Sequence, residues 1–208
     1  MPFCGRDGNR IYWKLEGRDD APPLVLLNSI GTDMDLWAAA LPVLLGAFKV
    51  LRIDTRGHGA SDVPSGDYAL GGLADDVLAT MTDAGIGTAM VAGVSLGGMI
   101  AMQMALAQPG RVAALGLVCT SATMDRAAWT ERVRVVREAG MEAIADLAMT
   151  RFLSPGFIAA EPAIAASAIA GRKPSIVAST KLRARIAESA LAAVTSTCGT
   201  PARRKPTR

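Results

Sequence analysis

Gly93-Val94-Ser95-Leu96-Gly97-Gly98 is the segment whose residue types and spacing point most directly to chemistry. It lies between two apolar runs, Thr88 to Val94 and Leu96 to Ala107. A serine framed by glycines between a strand and a helix is the pattern of a nucleophile elbow. The serine has to occupy a tight, strained turn so that its hydroxyl projects above the sheet edge. Gly93 and Gly97 leave room for that turn and for close strand–helix approach. A helix beginning at Leu96 points its positive end toward developing negative charge. Ser95 is therefore the candidate nucleophile, and the Leu96 N–H the first candidate oxyanion-hole donor. The second donor is expected from the loop after the apolar run Leu24–Leu27. In Asn28-Ser29-Ile30-Gly31 the residue placed to offer it is Ile30.

The chain has one histidine, His58, in the turn Asp54-Thr55-Arg56-Gly57-His58-Gly59-Ala60-Ser61. A ring at a strand end is expected to tie its loop together by hydrogen bonds. A catalytic base would instead have to reach the nucleophile's proton. A single histidine argues against a His-based metal site. Cys4, Cys119 and Cys198 show no close spacing, so neither a disulfide framework nor a zinc site is indicated, and a reducing cytoplasm is expected.

Elements must hold these residues. NRIYWKLE at 9–16 reads as a strand, and Leu24-Val25-Leu26-Leu27 as a strand buried on both faces. Thr32 or Asp33 is expected to cap a helix running to about Leu45. Phe48 to Ile53 reads as a second buried strand. Leu73, Val77, Leu78 and Met81 recur at helical spacing, which predicts an amphipathic helix over about 70–84. Thr88 to Val94 reads as a strand, Leu96 to Ala107 as a helix stopped by Pro109, and Val112 to Cys119 as a strand. This alternation predicts a mostly parallel sheet with helices on both faces. Ligands then gather at the carboxyl ends of the strands, in the loops after Leu27, Ile53, Val94 and Cys119. Beyond Cys119, Trp129 to Met149 is expected to be helical, with Val133, Val136, Met141, Ile144 and Leu147 as its apolar set. The organisation read from this pattern is a core at 1–121, a helical cap at 122–170 and an atypical basic tail at 171–208.

Half of the 208 residues are apolar, enough for a sizeable core and incompatible with a wholly disordered chain. Ala84 to Gly110 carries no charged residue and is long enough to span a bilayer. Ser95 and Gln103 interrupt it and Pro109-Gly110 ends it, so a buried strand followed by a buried helix is the expectation. The N-terminus has no apolar stretch of the signal-peptide kind. The net charge of +3 hides an asymmetry. Arg172 to Arg208 hold nine basic residues and one acidic one, Glu188, whereas the first 171 residues hold 13 basic and 18 acidic. A basic tail suits nucleic acid, but no aromatic residue follows Phe157 to stack on bases, and no nucleic-acid or membrane partner is expected.

Over about residues 9–160 the chain resembles the α/β-hydrolase superfamily, and within it the 3-oxoadipate enol-lactonases. LLNSIGTDMDLW (26–37), VLRIDTRGHGASD (50–62) and VAGVSLGGMIA (91–101) carry the resemblance. It implies an α/β-hydrolase fold with a helical cap. It also implies a serine hydrolase that opens a lactone, a cyclic enol ester, in aromatic-compound degradation, with no metal or organic cofactor. Ser95 would attack the carbonyl and pass through an acyl-enzyme. The substrates of such enzymes carry a carboxylate, which Arg132 and Arg134 are placed to pair with, Trp129 forming an apolar wall. The Arg56-Gly57-His58-Gly59 turn matches a family turn that does not supply the catalytic histidine.

One departure stands against the match. The family order is Ser, then Asp or Glu, then His, and no histidine follows Ser95 here. Two other readings therefore stay open: an inactive or ligand-binding remnant of such a hydrolase, or another ester hydrolase on the same core. The last strands of the fold are expected to be missing, leaving 112–119 as an apolar sheet edge that favours aggregation and low stability. The abrupt shift to Arg, Lys, Ala, Ser and Thr is what a shifted reading frame through GC-rich DNA produces. The expectation is that another frame of the gene restores family-like sequence from about residues 165 to 180 onward. The nucleotide sequence checks it: no such sequence in either alternative frame removes the frameshift reading.

Overall fold

The structure is a computed structural model that describes residues 3–140, 143, 154–160 and 162. The expectations for Met141, Ile144 and Leu147 and for the tail 171–208 fall outside the described residues, as does most of the expected cap after Gly140.

Six strands form one mixed sheet: β1 (Phe3–Arg6), β2 (Asn9–Glu16), β3 (Pro23–Leu27), β4 (Lys49–Ile53), β5 (Ala89–Val94) and β6 (Val112–Val118). Their order is β1-β2-β4-β3-β5-β6. The four strands from β4 to β6 run parallel, while β2 pairs antiparallel with both β1 and β4. The continuous apolar run of β3 has a simple cause. Successive side chains leave a strand on opposite faces, and here both faces are cores. Val25 and Leu27 pack with Met81, Ile100 and Met104 on one side. Leu24 and Leu26 pack with Trp37, Leu44 and Phe48 on the other. Each such aliphatic side chain, withdrawn from water, stabilises the fold by roughly 1.5–3 kcal/mol.

The helices are α1 (Leu41–Leu44), α2 (Leu70–Asp83), α3 (Leu96–Ala107), α4 (Arg126–Ala139) and α5 (Pro155–Ala160). The long charge-free run is thus β5 followed by α3, and no helix among the described residues is long and apolar enough to cross a membrane. The single helix expected from about residue 33 to Leu45 is instead two pieces. A 3₁₀ turn at Met34–Trp37 is capped by the Asp33 side chain, which accepts from Asp35 N, and α1 begins afresh at Leu41. Pro42 is the reason: it has no N–H to donate back, and its ring excludes a helical carbonyl four residues earlier, but it is tolerated in a first turn. Strand β1 was not anticipated. Asp7-Gly8, both at positive φ, forms the two-residue turn that joins β1 to β2 with Arg6 opposite Asn9.

Glycines let the elements close around the residue after β5. A Cβ on Gly93 would stand 2.2 Å from the carbonyl carbon of Gly97. A Cβ on Gly97 would stand 2.4 Å from the Leu27 carbonyl oxygen and 2.8 Å from that of Asn28. Helix α3 therefore begins in contact with the end of β3. In α2, by contrast, Gly72 has open space around it. Gly72→Ala is expected to stabilise by up to about 1 kcal/mol through helix propensity. Gly97→Ala should destabilise by roughly 1–3 kcal/mol, because the added methyl has to push backbone apart. Urea denaturation of the two variants checks the contrast in sign.

Candidate active site

Ser95 stands between β5 and α3 with φ +52° and ψ −112°. For a residue with a Cβ this conformation costs on the order of 1–3 kcal/mol and persists only where the surroundings impose it. Here they do. Ser95 N donates to Val118 O of β6 at 2.9 Å. Ser95 O accepts from Gly98 N at 3.0 Å, Met99 N at 3.1 Å and Thr120 Oγ1 at 2.7 Å. The backbone is thus held by a neighbouring strand, the first turn of α3 and the loop after β6. A serine in front of a helix usually caps it with its hydroxyl. This one does not, and among the described residues Ser95 Oγ makes no hydrogen bond. Leu96 is the first residue of α3, where backbone donors have no helical carbonyl to bond.

The loop after β3 lies beside this turn. Leu27 is in register with Gly93 across the parallel pair, and Gly97 touches the carbonyls of Leu27 and Asn28. Three bonding groups shape the loop. The buried Asn28 donates from Nδ2 to Ile53 O at 2.8 Å and accepts at Oδ1 from Trp37 Nε1 at 3.0 Å. Thr32 donates to Ser29 O from both N, at 3.2 Å, and Oγ1, at 2.8 Å. Gly31 N donates to His58 Nε2 at 2.9 Å. Ile30, in the middle, has an exposed side chain and makes no hydrogen bond among the described residues.

His58 ties the turn, as its position in the sequence led us to expect. An amide N–H can only donate, so Nε2 accepts and the neutral ring carries its proton on Nδ1, which faces Arg56 O at 3.2 Å. Both ring nitrogens are engaged with backbone. The rest of the turn is built around the buried Asp54. Its carboxylate accepts from Met34 N at 2.7 Å and Ala60 N at 2.9 Å. Burial pushes this carboxyl above the usual aspartate range, and those two N–H groups oppose the shift. Arg56 forms a two-pronged pair with the buried Asp76 of α2 at 2.5 and 2.6 Å.

The residues expected to bind substrate stand on α4, which buries none of its side chains. The Arg132 guanidinium lies 4.8 Å from the centre of the Trp129 ring. Arg134 pairs with Glu131 at 2.6 Å and Glu138 at 2.5 Å, so its charge is matched within its own helix. A groove of about 540 Å³ runs along this helix past Arg126, Trp129, Val133 and Arg137. Ser95, Leu96 and the 28–31 loop do not line it. The structure therefore brings Ser95, Leu96 and the loop of Ile30 together, and leaves Trp129, Arg132 and Arg134 as a separate group. Thr120, which bonds Ser95 O and packs against Gly98, was not singled out by sequence. Its place just past a parallel strand's carboxyl end was the available signal.

Residues 22–146 match the family profile described as alpha/beta hydrolase fold. The chain is 37% identical over 149 residues to 3-oxoadipate enol-lactonase 2 of Acinetobacter baylyi, covering 71% of this chain and 56% of that one. It is 30% identical over 156 residues to 3-oxoadipate enol-lactonase 1 of the same organism, covering 74% and 58%. It thus spans a little over half the length of these relatives. The crystal structure of the enol-lactonase from Burkholderia xenovorans is similar with a TM-score of 0.75 and 31% identity, covering 91% of this chain and 72% of that one. A hydrolase from Pseudomonas aeruginosa gives 0.76 and 35%, covering 92% and 71%. The profile extends over more than half of the 208 residues: the chain belongs to the α/β hydrolase fold family.

Proposed function

We propose that this chain carries the nucleophile and oxyanion hole of a serine hydrolase that opens a lactone of the 3-oxoadipate enol-lactone kind. The single observation behind this is Ser95 itself: a serine held at φ +52° at the head of a helix, with its hydroxyl neither capping nor otherwise bonded among the described residues. In the proposed reaction Ser95 Oγ attacks the carbonyl carbon while its proton passes through water to the ring oxygen that will leave. The carbonyl oxygen takes up negative charge between the N–H groups of Ile30 and Leu96. The ring C–O bond then breaks, leaving an acyl-enzyme whose enol oxygen stays on the acyl group, and water releases the product. The similarity to two enol-lactonases supports the substrate class. Aromatic-compound breakdown and a cytoplasmic location accompany this reading. On α4, Arg132 has no carboxylate partner among the described residues and is the better candidate for the substrate's carboxylate; Arg134 already has two.

A second reading has its own observation. The only histidine is bonded to backbone at both nitrogens, and none follows Ser95. A base for the Ser95 proton is therefore not provided by a histidine in these 208 residues. On this reading the chain binds a small acid or ester, or acylates once without turning over.

The test uses the purified chain and Ser95→Ala, with 3-oxoadipate enol-lactone and a fluorophosphonate probe read by mass spectrometry. A covalent adduct on Ser95 that the variant lacks is the expected result. Lactone opening that Ser95→Ala abolishes selects the hydrolase reading. An adduct without turnover selects the second one; an elbow lacking a triad member retains only about 10³–10⁴-fold over water. No adduct on Ser95 removes it as the nucleophile.

A further inference from the structure

We propose that His58 is a positioning residue for the loop that carries Ile30, holding the Gly31 N–H through an unprotonated Nε2 and releasing it when that nitrogen takes a proton. This rests on the proposed role of the Ile30 N–H as an oxyanion donor.

The loop from Asn28 to Gly31 is secured at three places. Two of them are groups that do not titrate: the Asn28 amide, bonded to Ile53 O and Trp37 Nε1, and the Ser29 carbonyl, bonded to Thr32. Both act on the side that precedes Ile30. On the side that follows it, Gly31 has φ +74° and no side chain to pack. Its N–H is fixed by the His58 ring across 27 residues of sequence. The ring is itself oriented by Nδ1–H donating to Arg56 O. A second proton would set Nε2–H against Gly31 N–H, two donors facing one another, and the bond would be lost. The next amide back is that of Ile30. An oxyanion donor acts because it is already in place before charge develops. Releasing Gly31 therefore weakens the hole without touching Ser95.

The charged and titratable groups on the surrounding elements are already occupied. Both Asp54 oxygens accept backbone N–H groups from Met34 and Ala60. Arg56 pairs with Asp76 of α2, and Asp62 with Arg10 of β2. Asp33 caps the 3₁₀ turn, and Asp35 faces the Arg52 guanidinium at 3.8 Å. The Tyr68 hydroxyl donates to Pro64 O. Among the described residues none of these groups is bonded to the ring. Asp54, whose carboxyl is raised by burial and holds Ala60 in the same turn, is told apart by His58→Gln, which keeps Asp54 and removes the ring.

His58 is the only histidine, so its ring signals in a nitrogen-15 spectrum need no assignment. The full chain would be labelled with nitrogen-15 at histidine, glycine and isoleucine and titrated with acid. The expected result is a proton on Nδ1 and none on Nε2 before acid is added. As the ring protonates, the Gly31 and Ile30 amides should shift, and Gly31 exchange, corrected for its intrinsic pH dependence, should speed by about tenfold or more. In His58→Gln the side-chain amide oxygen can accept at every pH, so Gly31 should stay protected throughout. In His58→Leu the protection should be absent throughout. A proton on Nε2 at the start, or amides of Gly31 and Ile30 that ignore ring protonation, overturns the proposal. The wild-type titration decides even if a variant fails to fold. Ser95 adduct formation over the same pH range separates the two ideas. Slowing of about tenfold on ring protonation in the wild type, absent in His58→Gln, ties the positioning to the oxyanion hole. Adduct rates equal in both, with Gly31 still released, overturn that tie. Failure of any adduct to form refutes the hydrolase reading and leaves the Gly31 result intact.

Discussion

The backbone of Ser95, fixed in a conformation that residues with side chains rarely adopt, is the constraint around which the molecule is arranged. No local preference produces φ +52° for serine; only neighbours that leave no alternative can. Those neighbours come from four places in the chain: Val118 at the end of β6, Thr120 just beyond it, the first turn of α3, and the end of β3 pressed against Gly97. The parallel sheet makes their meeting possible, because its strands deliver several carboxyl ends to one edge. Strain at a single residue is thus balanced by ordinary hydrogen bonds and close packing around it.

A second layer of polar contacts positions the loops rather than the nucleophile. Asn28, Asp54 and Arg56 spend their side-chain polar atoms on groups of other segments: the end of β4, the start of the 3₁₀ turn, α2. Buried polar groups are expensive unless paired, and pairing them fixes loops that have little apolar surface of their own. His58 belongs to this layer. It differs from Asn28 and Arg56 in that one proton decides whether its ring nitrogen accepts or donates toward Gly31.

Helix α4 obeys different rules. Its charges are matched on its own surface, Arg134 with Glu131 and Glu138, and its described link to the body of the fold is Arg137 with Asp67. Exposed pairs of this sort contribute at most about 1 kcal/mol each. The helix is stabilised locally and attached weakly, in contrast to α2 and α3, whose apolar faces are part of the core. Reading Arg132 and Arg134 as equivalent from sequence overlooked the (i, i+4) and (i, i−3) carboxylates that neutralise one and not the other.

The sequence by itself determined the alternation of strands and helices from Pro23 to Val118, the two-faced burial of β3, and the strand–turn–helix around Ser95. Each is a consequence of periodicity or of glycine at a fixed offset, and both are local properties. The Asp7-Gly8 hairpin and the break before Pro42 were also legible in principle, since their signals are a dipeptide and one proline. Tertiary structure alone decided which nitrogen of His58 is free to accept, that Thr120 supports the Ser95 carbonyl, and that Gly97 is the contact between α3 and the 28–31 loop. These depend on atoms brought together from distant parts of the chain. No pattern of residue types encodes such distances until the sheet has set them.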